Sequence, residues 1–150
     1  MAVDPWTLEQ IRKHIDEGLP LTRLFNIDVL EAGRDRARVR LGEGAHATRP
    51  GGSIAGPVQF ALADVVTYAL ILATSHDPAA VTVDMTINFL RPAMQLPLVA
   101  EAVPLRAGRR LFTADVRITE QPGGRLVAQA TTTYALSGGT PALTGDPGRV

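Results

Sequence analysis

The sequence predicts an α+β fold in which an antiparallel sheet of about six strands wraps around one long central helix. Three observations lead to it. The stretch from Ile54 to Ser75, IAGPVQFALADVVTYALILATS, carries a single charge, Asp64, and no broad polar stripe. A helix that is apolar on nearly every side is buried, in a core or in a bilayer. Around it lie strand-like segments, two before and four after, separated by glycine and proline turns. An antiparallel sheet buries such a helix only by curling about it, and one sheet leaves half of the helix uncovered. A second subunit is therefore expected to complete the wrapper.

The elements follow in order. Asp4-Pro5 supplies an N-cap followed by proline at the first helical position. Trp6, Leu8, Ile11 and Ile15 then recur at helical spacing until Gly18, with Pro20 beyond, so a short amphipathic helix is expected. His14, between Lys13 and Ile15, is read as a surface residue. Phe25 to Ala32 and Arg34 to Gly42 form two strands joined at Gly33. In the second, Arg36, Arg38 and Arg40 alternate with Ala37, Val39 and Leu41, which marks a wet face and a core face rather than a nucleic-acid stripe.

Residues 43–53, EGAHATRPGGS, form a glycine-rich loop that feeds the central helix. Glycines there let backbone approach a ligand, and free N–H groups at a helix N-terminus favour negative charge. After the helix, Asp77-Pro78 makes a turn. Four strands follow, Ala80–Leu90, Leu98–Arg106, Arg109–Glu120 and Arg125–Leu136, and their turns suggest an antiparallel meander. Residues 1–150 read as a single domain, with its core at about 20–136 and a loose tail at 137–150.

Composition narrows the function. A net charge of zero and 45% hydrophobic residues point to neither disorder nor a nucleic-acid partner. With no cysteine there is no disulfide and no thiolate metal site. The first residues, MAVDPWTLEQIRKH, carry early acids and no apolar run, unlike a signal peptide, so a cytoplasmic protein is expected. A transmembrane reading of the apolar helix is opposed by Gly56, Pro57, Asp64 and the lack of Lys or Arg between residues 50 and 90. A carboxylate within such a helix costs several kcal/mol unless it is paired or neutralised, which marks Asp64 as the candidate site. The bland alternative is a structural Asp64 paired with a buried arginine.

The segment RPGGSIAGPVQFALAD, Arg49 to Asp64, resembles the Asn-x-x-Gly-x-x-His-Gly-Gly to Leu-Ala-Asp pattern of the hotdog-fold acyl-CoA thioesterases, the phenylacetate-pathway type in particular. VTVDMTINFLRPA, Val81 to Ala93, resembles the family's strand after the helix, and Arg109 to Tyr134 its last hairpin more loosely. The resemblance covers roughly residues 20–136. It implies hydrolysis of acyl-CoA to free acid and coenzyme A, with Asp64 as general base or nucleophile. It implies the Gly56 N–H as the donor that polarises the thioester carbonyl, and Thr82 as a holder of the attacking water. In the family these groups meet across a dimer interface, so a homodimer or homotetramer is expected. No metal or resident cofactor is implied; coenzyme A enters as part of the substrate.

This chain departs from the pattern at Arg49, where the family has Asn, and at Ala55-Gly56-Pro57, where it has His-Gly-Gly. Arg49 either bonds the carbonyl in place of Asn or pairs with Asp64, which would leave a non-catalytic acyl-CoA or acyl-carrier binder. Pro57 lacks an N–H, which leaves the oxyanion role to Gly56. A hotdog hydratase or dehydratase is a third reading, but His46, the histidine nearest the site loop, reads as a loop residue. His76 is explained by the helix C-terminus. Phe60, Tyr68 and the Val65–Val66 pair are candidates to line the acyl pocket. Arg91, Arg106, Arg109 and Arg110 are candidates to meet the phosphates of coenzyme A.

Overall fold

A computed structural model describes residues 4–44 and 46–138. Helix α1 spans Leu8–Gly18 and a single turn, α2, spans Leu21–Leu24. Strands β1 (Ile27–Ala32) and β2 (Ala37–Leu41) precede the long helix α3 (Gly56–Thr74). Strands β3 (Val81–Phe89), β4 (Leu98–Ala107), β5 (Leu111–Glu120) and β6 (Arg125–Ala135) follow. All six strands form one antiparallel sheet in the order β1-β2-β4-β5-β6-β3. It packs around α3 as the apolar pattern predicts.

Three local expectations are corrected. The cap of α1 is Thr7 rather than Asp4: its side chain accepts from the Gln10 N–H, and Gln10 bonds back to the Thr7 N–H, a complete capping box. Pro20, which reads in sequence as a stop, instead caps the turn α2. The last four strands are not a simple meander. Strands β4, β5 and β6 are, but β3 pairs with β6 at the far edge. The connection from Leu90 to Pro97 is too long for a tight hairpin and instead carries the chain across to β4. Buried Glu120 anchors that connection by accepting from the Met94 and Gln95 N–H groups and from Arg125 Nε.

The helix is long and apolar enough to cross a membrane by length and composition, yet most of it is buried inside the sheet. Leu62, Val66, Leu70, Ile71 and Leu72 are wholly enclosed, and α3 rests on β1, β2, β4 and β5. Thr67 and Thr132 pair their hydroxyls at 2.9 Å across the helix–sheet interface. The expectation that half of the helix stays bare is too large. Sheet and α1 leave a strip at Pro57, Phe60, Ala61, Asp64 and Tyr68, the positions that recur on one helix face.

At the end of the described residues, Ser137 is held by Asp77 through its backbone N–H (2.6 Å) and its hydroxyl (2.9 Å). The remainder of the expected tail, 139–150, lies outside the described residues.

Candidate active site

Asp64 sits in the middle of α3 on the open strip, half-buried rather than enclosed as its surroundings in sequence suggest. Two hydroxyls converge on one of its oxygens. Thr82 Oγ1 donates to Oδ1 at 2.7 Å, and Tyr134 OH donates to the same atom at 2.6 Å. Thr82 lies on β3 and Tyr134 on β6, directly opposite in the ladder. Paired residues share a face of the sheet, so both point at the helix.

A bulge makes this possible. Along β3, Met85, Ile87 and Phe89 pair with the inward residues Thr132, Ala130 and Ala128. Strict alternation would then turn Thr82 outward. The register shifts between Thr82 and Asp84, leaving Val83 unpaired, and the extra residue returns Thr82 to the inner face.

Asp64, Thr82 and Tyr134 line a cavity of about 430 Å³ with His14, Gly18, Leu19, Tyr68, Ala80 and Val81. The rings of Tyr68 and Tyr134 lie nearly parallel, 6.5 Å apart. Tyr68 donates to the Pro78 carbonyl at 2.8 Å, so His14 Nε2, 3.0 Å from the same hydroxyl, is the donor in that pair. Trp6 packs edge-on against the imidazole. Burial first, then the Asp64 charge, hold the Tyr134 phenol well above its usual range, so Tyr134 is a proton donor at neutral pH. Burial and then Asp77 raise Tyr68 as well.

His14 was expected on the surface; it is half-buried on the cavity wall. Its spacing gives the reason, since Ile11, His14, Ile15 and Gly18 fall on one helical stripe. Tyr134 was not among the expected site residues either. The signal available was a tyrosine placed among the small Ala and Thr residues of the last strand.

Gly56 occupies a different place. It opens α3, with Ala55 as N-cap and Pro57 following, and among the described residues its N–H has no protein acceptor. Its groove, about 420 Å³, is lined by Arg49, Ser53, Gln59, Phe89 and Arg91 among others. A Cβ at Gly56 would stand 3.2 Å from the Phe89 ring, so glycine is what lets Phe89 close on the helix. The preceding loop turns through Gly51 and Gly52, both at positive φ, where side chains are disfavoured. Eight residues of helix, roughly 12 Å of rise, separate Gly56 from Asp64.

The remaining expectations divide between these places. Tyr68 joins Asp64, and Arg49 and Arg91 join Gly56. Arg91 Nη1 donates to the Leu126 carbonyl at 2.6 Å. Arg49 is exposed, and among the described residues Asp64 has no ion-pair partner, so the Asp64–Arg49 pair does not form within the chain. Phe60 is 41% exposed on the open strip. Val65 and Val66 are buried in the core and line neither pocket, which corrects their assignment to the acyl site. Arg109 lines a third cavity with His76, Asp77 and Ser137, beyond the C-terminal end of α3. His46 is exposed and outside the Asp64 cavity; the histidine that reaches Asp64's pocket is His14.

Comparison with known proteins bears out the fold. Residues 51–127 match the thioesterase superfamily. The solved thioesterase superfamily member 2 of zebra fish is 26% identical, with a TM-score of 0.75 over 87% of this chain and 99% of its own. A structure described as a candidate thioesterase of a Silicibacter species is 28% identical, with a TM-score of 0.77 over 87% and 92%. A candidate esterase of Saccharolobus solfataricus is 24% identical over 77% of this chain and 81% of its own.

Proposed function

The chain belongs to the thioesterase superfamily, and from that premise we propose that it hydrolyses acyl-CoA thioesters to the free acid and coenzyme A. The observation that carries the reading is the Asp64 carboxylate, held by Thr82 and Tyr134 at the wall of an open cavity. Such a carboxylate suits the work of a general base that takes a proton from attacking water. Thioester attack builds negative charge on the carbonyl oxygen. The unpartnered Gly56 N–H, at the positive end of α3, suits the stabilisation of that charge.

The two groups lie in separate pockets of one chain. A complete site then needs the carboxylate of one subunit and the glycine of another, and a homodimer is the simplest assembly that supplies both. Exposed apolar residues beside them support the pairing: Phe60 on α3, and Val81, Val83 and Phe89 on edge strand β3. On this reading Arg49 and Arg91 border the thioester and coenzyme A side of the site, and the acyl group enters the Asp64 cavity. The walls of stacked Tyr68 and Tyr134 favour a small aromatic acyl group, in line with the phenylacetate-pathway type. On this reading water, Asp64 and a backbone N–H suffice for the chemistry, with no resident cofactor, and an acyl-CoA substrate suits a cytoplasmic enzyme.

The test is hydrolysis of short, medium, long and aryl acyl-CoA esters, followed by release of free thiol. Turnover with a preference for the aryl esters is the expected result; tight binding without any thiol release would sink the hydrolase reading in favour of a binder.

A further inference from the structure

We propose that Tyr134 is a positioning residue, which together with Thr82 pins Oδ1 of Asp64 and leaves Oδ2 as the oxygen that receives the proton of the attacking water. The inference rests on the hydrolase reading above and adds to it a residue and an atom.

Both short donors end on Oδ1, and among the described residues Oδ2 accepts from no protein group. Two charge-assisted bonds fix the carboxylate about its own axis, so the second oxygen has one place to be. The holders are rigid. The Tyr134 side chain is 2% exposed, its ring lies along Tyr68, and its strand sits between two others in the sheet. Thr82 stands across the ladder on the bulged strand. The other titratable groups on the cavity wall are Tyr68 of α3 and His14 of α1, and these bond to each other rather than to Asp64.

The step balances with these groups alone. The water oxygen bonds to the thioester carbon while one of its protons passes to Oδ2, and the carbonyl electron pair moves onto oxygen. Collapse of the intermediate re-forms the carbonyl and breaks the carbon–sulfur bond. The thiolate leaves with that pair and takes the proton from Asp64, which restores the carboxylate.

Tyr134→Phe removes the hydroxyl and keeps the ring. We expect kcat to fall roughly 10- to 100-fold, as for the loss of one hydrogen bond to a charged group, with KM changed less than about twofold and Tm little altered. A second measurement does not need turnover. The chain has two tyrosines, so Tyr68→Phe leaves Tyr134 as the one phenol in an alkaline absorbance titration. Adding Asp64→Asn to that variant should let Tyr134 ionise at lower pH. Identical titrations in the two proteins, or a Tyr134→Phe enzyme as fast as wild type, would overturn the inference. Wild-type protein that releases no thiol from any ester would instead remove the hydrolase reading, and the proton step with it, while the titration still decides the Asp64–Tyr134 pairing.

Discussion

Thr82 and Tyr134 face each other across the β3–β6 ladder, and both hydroxyls reach the same oxygen of Asp64. The meeting depends on Val83 being left unpaired: paired in a regular ladder, it would turn Thr82 to the face opposite Tyr134. Three steps along β3, from Met85 to Thr82, match two along β6, from Thr132 to Tyr134, so deleting Val83 makes the ladder regular and keeps Thr82 facing Asp64. Thr82→Ala is expected to lower kcat about tenfold with KM nearly unchanged. The Val83 deletion should cost much less than Thr82→Ala, while keeping the far-ultraviolet circular dichroism of the fold. A deletion variant slower than Thr82→Ala would contradict this register.

The shared site makes a prediction about mixtures. Co-expressed Asp64→Asn and Gly56→Val subunits, each inactive alone, would form mixed dimers in which one site carries both defects and the other carries neither. Random pairing predicts recovery of about a quarter of wild-type activity. If each site lies within one subunit, no activity returns on mixing.

Glu120 offers a test of the fold alone. Arg125, then the Met94 and Gln95 N–H groups, hold its carboxyl below the usual carboxylate range against the opposing effect of burial. A depressed value means the bonded, ionised form contributes stability above the unfolded-state value. That contribution is lost as pH falls from there through the folded value. Wild type should thus lose stability on acidification below about pH 4, and Glu120→Gln should be less stable at pH 7 by about 1–3 kcal/mol with a flatter acid limb. Chemical denaturation at pH 7 and pH 3 would measure both; parallel curves would refute the role.

Much of the architecture was legible in the sequence because it follows from periodicity. The unbroken apolar run marks α3, and the strand expected at Arg34 to Gly42 is found as β2, ending within a residue but starting three residues later because Arg34 and Asp35 belong to the turn. Pairing was legible at the two glycine hairpins, β4–β5 and β5–β6, but not for β3. The turn at Arg91-Pro92 signals a change of direction, but a turn signal does not say which strand β3 lies beside. The site was legible where chemistry and location coincide, at Asp64, whose charge stands out against its neighbours. It was illegible at Tyr134 and His14, since a tyrosine in a strand and a histidine on an amphipathic helix look the same whether or not a carboxylate waits nearby. Thr82 was reached through family resemblance, and strict strand alternation would have turned it away from the helix. Val65 and Val66 were misplaced because an all-apolar helix does not reveal from sequence which face meets the sheet.

The most direct measurement compares wild type with Asp64→Asn on an acyl-CoA ester that the wild type cleaves, following thiol release and ester binding together. Loss of a general base should lower kcat by about 100-fold or more while the ester still binds. An Asp64→Asn protein that retains wild-type turnover would contradict the account at its centre.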